Sequence, residues 1–334
     1  MLQDHFGRTI SYVRMSITDR CNLRCLYCRS VSGWDFIPHK DIMRYEEMKY
    51  LIDILRDEGV RKIRFTGGEP FVRRDCIAFL EEVAEACPDM AIHVTTNATL
   101  LRDKLPRLKA LGLAGLNISL DTLRRDRFKE ITGRDFCGHV LKAIDAALEL
   151  GLRTKVNVVA LRGVNDDEVK DFVAFVKERP LDLRFIEFMP IGGTSLWSQD
   201  NYWSAKAIYE AVARHTPLLP VPVQEDGTQG PARMFDLPEG QGRIGIISAV
   251  SNHFCETCNR LRVTSDGRVR PCLFSDKEYP ILPLLRKDER NREEIVRILH
   301  TMTMRKPMGY VLLQALEARN ENAVCSRMMS SIGG

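Results

Sequence analysis

The sequence predicts an α/β fold: an incomplete, open βα barrel of about six units, followed by a C-terminal extension. Three observations predict it. Short apolar, β-rich runs recur through the first two-thirds of the 334 residues; amphipathic segments separate most of them; and several runs end in polar or glycine residues, "TGGEP", "TTN", "SLD" and "EFMP". Strand–helix alternation on this scale favours a parallel sheet with right-handed crossovers. A barrel gathers its strand C-termini into one mouth, where such folds keep their active sites. Six units fall short of a closed eight-strand TIM-type barrel.

The predicted strands are Tyr12–Thr18, Lys62–Thr66, Ile92–Thr96, Leu116–Leu120, Val156–Ala160 and Leu183–Phe188. Between them, Met48, Leu51, Ile52 and Leu55 recur at helical spacing and Gly59 ends the run. Val140, Leu141, Ile144 and Leu148 repeat the scheme, closed by Gly151. After Gly192 the regularity fails in a segment rich in proline, glycine and turn residues. The expected division is residues 1–190, the barrel, and 191–334, the extension.

At 44% hydrophobic the chain can bury a large core. A net charge of +4 argues for neither nucleic acid nor membrane as a partner, though it suits a pocket for a small polyanion. Asp4, His5 and Arg8 stand where a signal peptide needs an apolar run, and no apolar span reaches the ~18 residues of a membrane helix. The expected location is the cytoplasm, where clustered cysteines mean metal or catalysis rather than disulfides.

The stretch "DRCNLRCLYC" carries Cys21, Cys25 and Cys28 in a Cys-x3-Cys-x2-Cys pattern. Three thiolates can hold three irons of a 4Fe–4S cube and leave the fourth open to another ligand. A zinc site completed by a distant histidine, or a cysteine-rich loop, fits the spacing equally well.

"CNLRCLYC" after a first strand, with "TGGEP" closing a second, resembles the radical S-adenosylmethionine superfamily. The resemblance implies a 4Fe–4S cluster on Cys21, Cys25 and Cys28 whose open iron takes S-adenosylmethionine. Gly67 and Gly68, lacking side chains, would let the backbone approach that cofactor.

A second set, Cys255, Cys258 and Cys272, lies in the extension, with His253 two residues before Cys255. By spacing alone a Cys3His zinc ribbon is favoured. The surrounding "CETCNRLRVTSDGRVRPCLF", together with "YVRMSITDRCNLRCLYC" and the terminal "GG", resembles the GTP 3′,8-cyclase family of molybdenum-cofactor biosynthesis over essentially the whole chain. That resemblance implies a second 4Fe–4S cluster on these cysteines, binding the purine of GTP. It also implies conversion of GTP to (8S)-3′,8-cyclo-7,8-dihydro-GTP after a 5′-deoxyadenosyl radical removes the C3′ hydrogen.

Residue by residue, the resemblance implies GTP contacts at Arg14, Arg64, Thr95, Lys155, Arg260 and Arg262. It implies adenosylmethionine contacts at Tyr27, Gly68, Ser119 and Met189, and a catalytic part for Arg14, Arg260, Arg262, Gly333 and Gly334. The arginines suit a triphosphate, since each offers a planar fork to phosphate oxygens. An external electron donor, flavodoxin-like or chemical, and a cyclic pyranopterin monophosphate synthase that takes the product are the implied partners; monomer and homodimer both stay open. Cys76, Cys87, Cys137 and Cys325 read as ordinary thiols. Two rivals remain at this point: a peptide-modifying radical enzyme with an auxiliary cluster, and a zinc-ribbon nucleic-acid-binding protein. The latter calls for a basic stripe with interleaved aromatics, of which a chain with 7% aromatics shows little sign.

Overall fold

A computed structural model describes residues 1–28, 36–192, 197–222, 230–287, 291–319 and 323–333. Among these residues twelve strands form one sheet: β1 Tyr12–Ser16, β2 Lys62–Thr66, β3 Ala91–Thr96, β4 Gly115–Ser119, β5 Thr154–Ala160, β6 Asp182–Glu187, β7 Leu219–Pro220, β8 Arg233–Asp236, β9 Arg243–Ile247, β10 Arg260–Val263, β11 Arg268–Arg270 and β12 Tyr279–Pro280. Their order is β12-β11-β10-β1-β2-β3-β4-β5-β6-β9-β8-β7. The six expected strands form the centre, all parallel. The extension adds β10 beside β1 and β9 beside β6, again parallel, then antiparallel strands outside each. The sheet therefore stays open and runs on past Pro190 without a break.

Strict alternation along each strand explains both faces. Val13, Met15, Ile63, Phe65, Ile92, Val94, Leu116, Ile118, Val156, Val158, Leu183 and Phe185 are buried in one core cluster with the helices. The residues between them face the other way. The helix Tyr45–Asp57 buries Met48, Leu51, Ile52 and Leu55 as its spacing predicts, and the chain leaves it through Gly59 at φ +95°. The helix Cys137–Glu149 departs from expectation. It buries Val140, Ala143, Ile144 and Ala147 and leaves Leu141 and Leu148 only partly covered, because alanine lets it sit close to the sheet. Among the described residues no helix is long and apolar enough to cross a membrane.

Candidate active site

The inward face of the sheet is polar from strand to strand. Arg14 lies beside Arg64 on β2 and Arg262 on β10; Tyr12 lies beside Lys62 and Arg260. Register then carries the face on through His93 and Thr95, Asn117, Lys155 and Asn157, and Arg184. A closed barrel packs this space with branched apolar side chains. Here it holds many cations and few carboxylates.

Arg64 Nε donates to Tyr12 Oη at 2.7 Å and its Nη1 reaches Thr95 Oγ1 at 3.4 Å. Burial alone would push the Tyr12 phenol up, but the Arg64, Arg14 and Arg260 guanidiniums outweigh it and bring it down to about 7. Burial, with Arg184 and Arg153 nearby, pulls the Lys155 ammonium down to about 7; Asp182, at 4.0 Å, offsets this only in part. Burial likewise lowers Arg14 and Arg184 to about 10. Such crowding is electrostatically costly until an anion enters. Among the described residues buried Asn117 Oδ1, Asn157 Oδ1, His93 Nδ1 and Arg184 Nε find no hydrogen-bond partner, which also fits a face built around a polar ligand.

Arg14, Arg64, Thr95, Lys155, Arg260 and Arg262 are thus brought to one face. Sequence reasoning missed Tyr12, Lys62 and Arg184 on that face. The available signal was the alternation in "KIRFT" and "DLRFIE", where the hydrophilic members are charged.

The N-terminal cysteines occupy the loop after β1, at the C-terminal ends of the strands. The loop is anchored by Gly68 N donating to Thr18 O at 2.8 Å and Glu69 N to Arg20 O at 2.8 Å. A Cβ on Gly67 or Gly68 would lie 2.3 Å from Thr18 O or Arg20 O, so the glycines let two backbones touch as well as opening the mouth. Fully buried Glu69 accepts from Thr96 Oγ1 and Asn97 N, both at 2.7 Å, and binds the end of β2 to that of β3. Cys21 Sγ accepts from Leu23 N and Asn97 Nδ2. Tyr27 donates to Asp121 Oδ2 at 2.5 Å and its ring lies 6.3 Å from that of Phe188. Burial pushes the Cys21 thiol up to about 11 and Cys28 to about 12, and holds Cys25 well above its ordinary value. Three such thiols ionise readily only with a metal. A donor set of three soft sulfurs fits an iron–sulfur cube.

The second set is likewise gathered. Cys255 and Cys258 precede β10 and Cys272 follows β11; a Cβ on Gly309 would lie 3.2 Å from Cys272 Sγ and 3.5 Å from Cys255 Sγ. Burial raises Cys272. At Cys258 burial acts the same way, but Arg260 and Lys306 overcome it and bring the thiol down to about 7. The His253 ring stacks on Tyr310, with centroids 5.7 Å apart.

The tail reaches the ends of β1 and β2, where Gly333 lies near Ser16 and Thr66. Gly333 O accepts from Arg14 Nε at 3.1 Å and from Arg262 Nη1 at 2.5 Å. At φ +73°, a Cβ there would lie 2.8 Å from Thr66 Cγ2. Gly334 lies outside the described residues. Ser119 ends β4 beside Asn157, and Met189 packs on a small cluster of Ile191, Phe274, Leu313, Cys325 and Ile332. Cys76, Cys87, Cys137 and Cys325 are buried free thiols.

Comparison with known proteins bears on this arrangement. The Radical SAM superfamily pattern matches residues 15–176, and Molybdenum Cofactor Synthesis C matches 181–312. The chain is 40% identical to the GTP 3′,8-cyclase of Alkaliphilus metalliredigens over 334 residues, all of both chains. It is 46% identical to that of Moorella thermoacetica over 287 residues, 85% of this chain and 88% of the other. Molybdenum cofactor biosynthesis protein 1 of Drosophila melanogaster is 41% identical over 91% of this chain and 54% of its own. Among solved structures, Streptococcus suis SuiB bound to S-adenosylmethionine aligns with a TM-score of 0.61 at 15% identity, covering 92% of this chain and 74% of the other, a likeness of fold alone. With full-length relatives at this identity and both halves matched in order, the chain belongs to the GTP 3′,8-cyclase family of the radical SAM superfamily.

Proposed function

We propose that this chain converts GTP to (8S)-3′,8-cyclo-7,8-dihydro-GTP, the first step of molybdenum-cofactor biosynthesis. The observation that carries the reading is the cation-rich inward face lying between two gathered sets of three cysteines. Residues 1–190 hold and activate S-adenosylmethionine on a 4Fe–4S cluster bound by Cys21, Cys25 and Cys28. Residues 191–334 hold a second 4Fe–4S cluster on Cys255, Cys258 and Cys272, against which the purine docks. When bound, the first cluster and adenosylmethionine supply a 5′-deoxyadenosyl radical able to take the hydrogen from C3′ of the ribose. Formation of the C3′–C8 bond and addition of one electron and one proton then complete the product.

The chain's own part is positioning. Arg14, Arg64, Lys155, Arg260 and Arg262 neutralise and orient the triphosphate, with Thr95 beside them, so that the ribose meets the radical in one pose. Tyr27, held by Asp121, Gly68, Ser119 and Met189 line the seat of adenosylmethionine. Gly333, whose carbonyl takes Arg14 and Arg262, and Gly334 after it in the chain help to organise the active site. An external reductant supplies electrons, and a cyclic pyranopterin monophosphate synthase takes the product. Anaerobic protein incubated with adenosylmethionine, dithionite and a panel of nucleotides tests the reading: GTP alone should be consumed, with about eight irons and little zinc per chain. Consumption of no nucleotide, or four irons with one zinc, overturns it.

A further inference from the structure

Lys306 is almost wholly buried, at 2% exposure. Its Nζ donates to the Arg260 carbonyl at 2.8 Å and to the Pro271 carbonyl at 2.6 Å, and its charge bears on the nearby Cys258 thiol. Among the described residues no carboxylate pairs with it. A buried ammonium that donates only to carbonyls is expensive unless an anion completes its surroundings. Among the described residues the groups beside it that can carry negative charge are Cys258 and Cys272, of the Cys255, Cys258 and Cys272 set.

The partners of Lys306 also join the two ligand segments. Arg260 follows Cys258 by two residues and Pro271 immediately precedes Cys272, so one ammonium ties the turn before β10 to the turn after β11. The segment that carries Lys306 is itself fixed. Arg8 Nη2 reaches the carbonyls of Lys306 and Pro307 at 3.3 and 3.5 Å, while Arg8 Nη1 donates to Cys255 O at 2.5 Å. Asp4 balances Arg8 at 2.6 Å, which leaves the Lys306 charge for the cysteines. A Cβ on Gly309, three residues on, would press on Phe274 at 3.0 Å and on Cys272 Sγ at 3.2 Å.

We propose that Lys306 is the counter-charge of the second cluster, a positioning residue that fixes Cys258 and Cys272 and favours the cluster's reduced form. The proposal rests on the reading of Cys255, Cys258 and Cys272 as cluster ligands. A cube held by three thiolates is anionic and gains further negative charge on reduction, so a fixed cation beside it raises its reduction potential. The same ammonium holds the backbone of Arg260, and so links the cluster to the arginine facing the substrate.

The test is a spectroscopically monitored redox titration of intact, anaerobically loaded protein, with the N-terminal cluster recognised by the change adenosylmethionine makes to its signal. Lys306→Met and Lys306→Gln should each move the potential of the second cluster to a more negative value, while the N-terminal potential stays put. Gln keeps donors for the carbonyls and removes only the charge. An unchanged second potential in either iron-loaded variant overturns the proposal. If Lys306→Met sheds the second cluster, Lys306→Gln decides: a lowered potential or lost iron upholds the counter-charge, and full loading at the parent potential refutes it. Zinc in place of iron in the unsubstituted protein would instead sink the cluster reading, and this proposal with it.

Discussion

The carbonyl of Gly333 and the guanidinium of Arg262 meet at 2.5 Å, joining the C-terminal tail to β10. Arg14, on the neighbouring strand, shares the same carbonyl at 3.1 Å. Two of the arginines assigned to GTP are therefore oriented by the tail.

Deleting Gly333 and Gly334 should leave the fold and the iron content intact but remove most cyclisation, because Arg14 and Arg262 lose their shared acceptor. Gly333→Ala should fall between, since its φ of +73° and its approach to Thr66 both resist a side chain. Iron analysis beside product yield checks both, and wild-type turnover by the truncated protein would make the tail a bystander.

Arg64→Ala and Arg260→Ala should each weaken GTP binding by about 1.5–3 kcal/mol, roughly 10- to 150-fold in Kd, by loss of a charge-assisted contact. Arg64→Ala also frees Tyr12 of its 2.7 Å donor. Calorimetric titration of each variant with GTP, then with adenosylmethionine, should find only the first affected.

Gly68→Ala should break the N-terminal site at its backbone. The new Cβ would stand 2.3 Å from Arg20 O and force the cysteine loop away from the end of β2. Loss of the N-terminal cluster signal is the expected outcome. Gly138→Ala is the control: nothing lies within 4 Å of its Cβ, and in a helix alanine should add up to about 1 kcal/mol of stability.

GTP affinity should fall as pH rises above about 7. Lys155, lowered by burial and by Arg184 and Arg153, titrates near that value without ligand. Phosphate nearby favours the ammonium, so its pKa is higher in the complex, and binding takes up a proton between the two values. Tyr12 works in the same direction, because phosphate disfavours the phenolate that the arginines stabilise. Calorimetry in buffers of different ionisation enthalpy should find proton uptake near pH 8, diminished in Lys155→Met and in Tyr12→Phe.

Much of this was legible in the sequence. The six central strands follow from apolar runs, and both cysteine sets from their spacing. What lay hidden was the work of long-range pairing. β9 and β10 extend the parallel sheet at both ends from a region whose proline and glycine content conceals its periodicity. Arg184 and Lys62 became site residues only once register set them beside Asn157 and Tyr12. Lys306 lies 48 residues beyond Cys258 in the chain, with no local pattern to connect them. The shift of the helix Cys137–Glu149 toward its alanines likewise depends on the sheet it meets, not on its own hydrophobic spacing.

The most direct measurement of the central claim uses GTP deuterated at C3′ of the ribose. Incubated anaerobically with the protein, adenosylmethionine and dithionite, it should transfer deuterium into 5′-deoxyadenosine as the cyclised nucleotide appears. Unlabelled 5′-deoxyadenosine formed alongside the cyclised product would contradict hydrogen removal at C3′, and with it the assignment of the inward face to the GTP triphosphate and ribose.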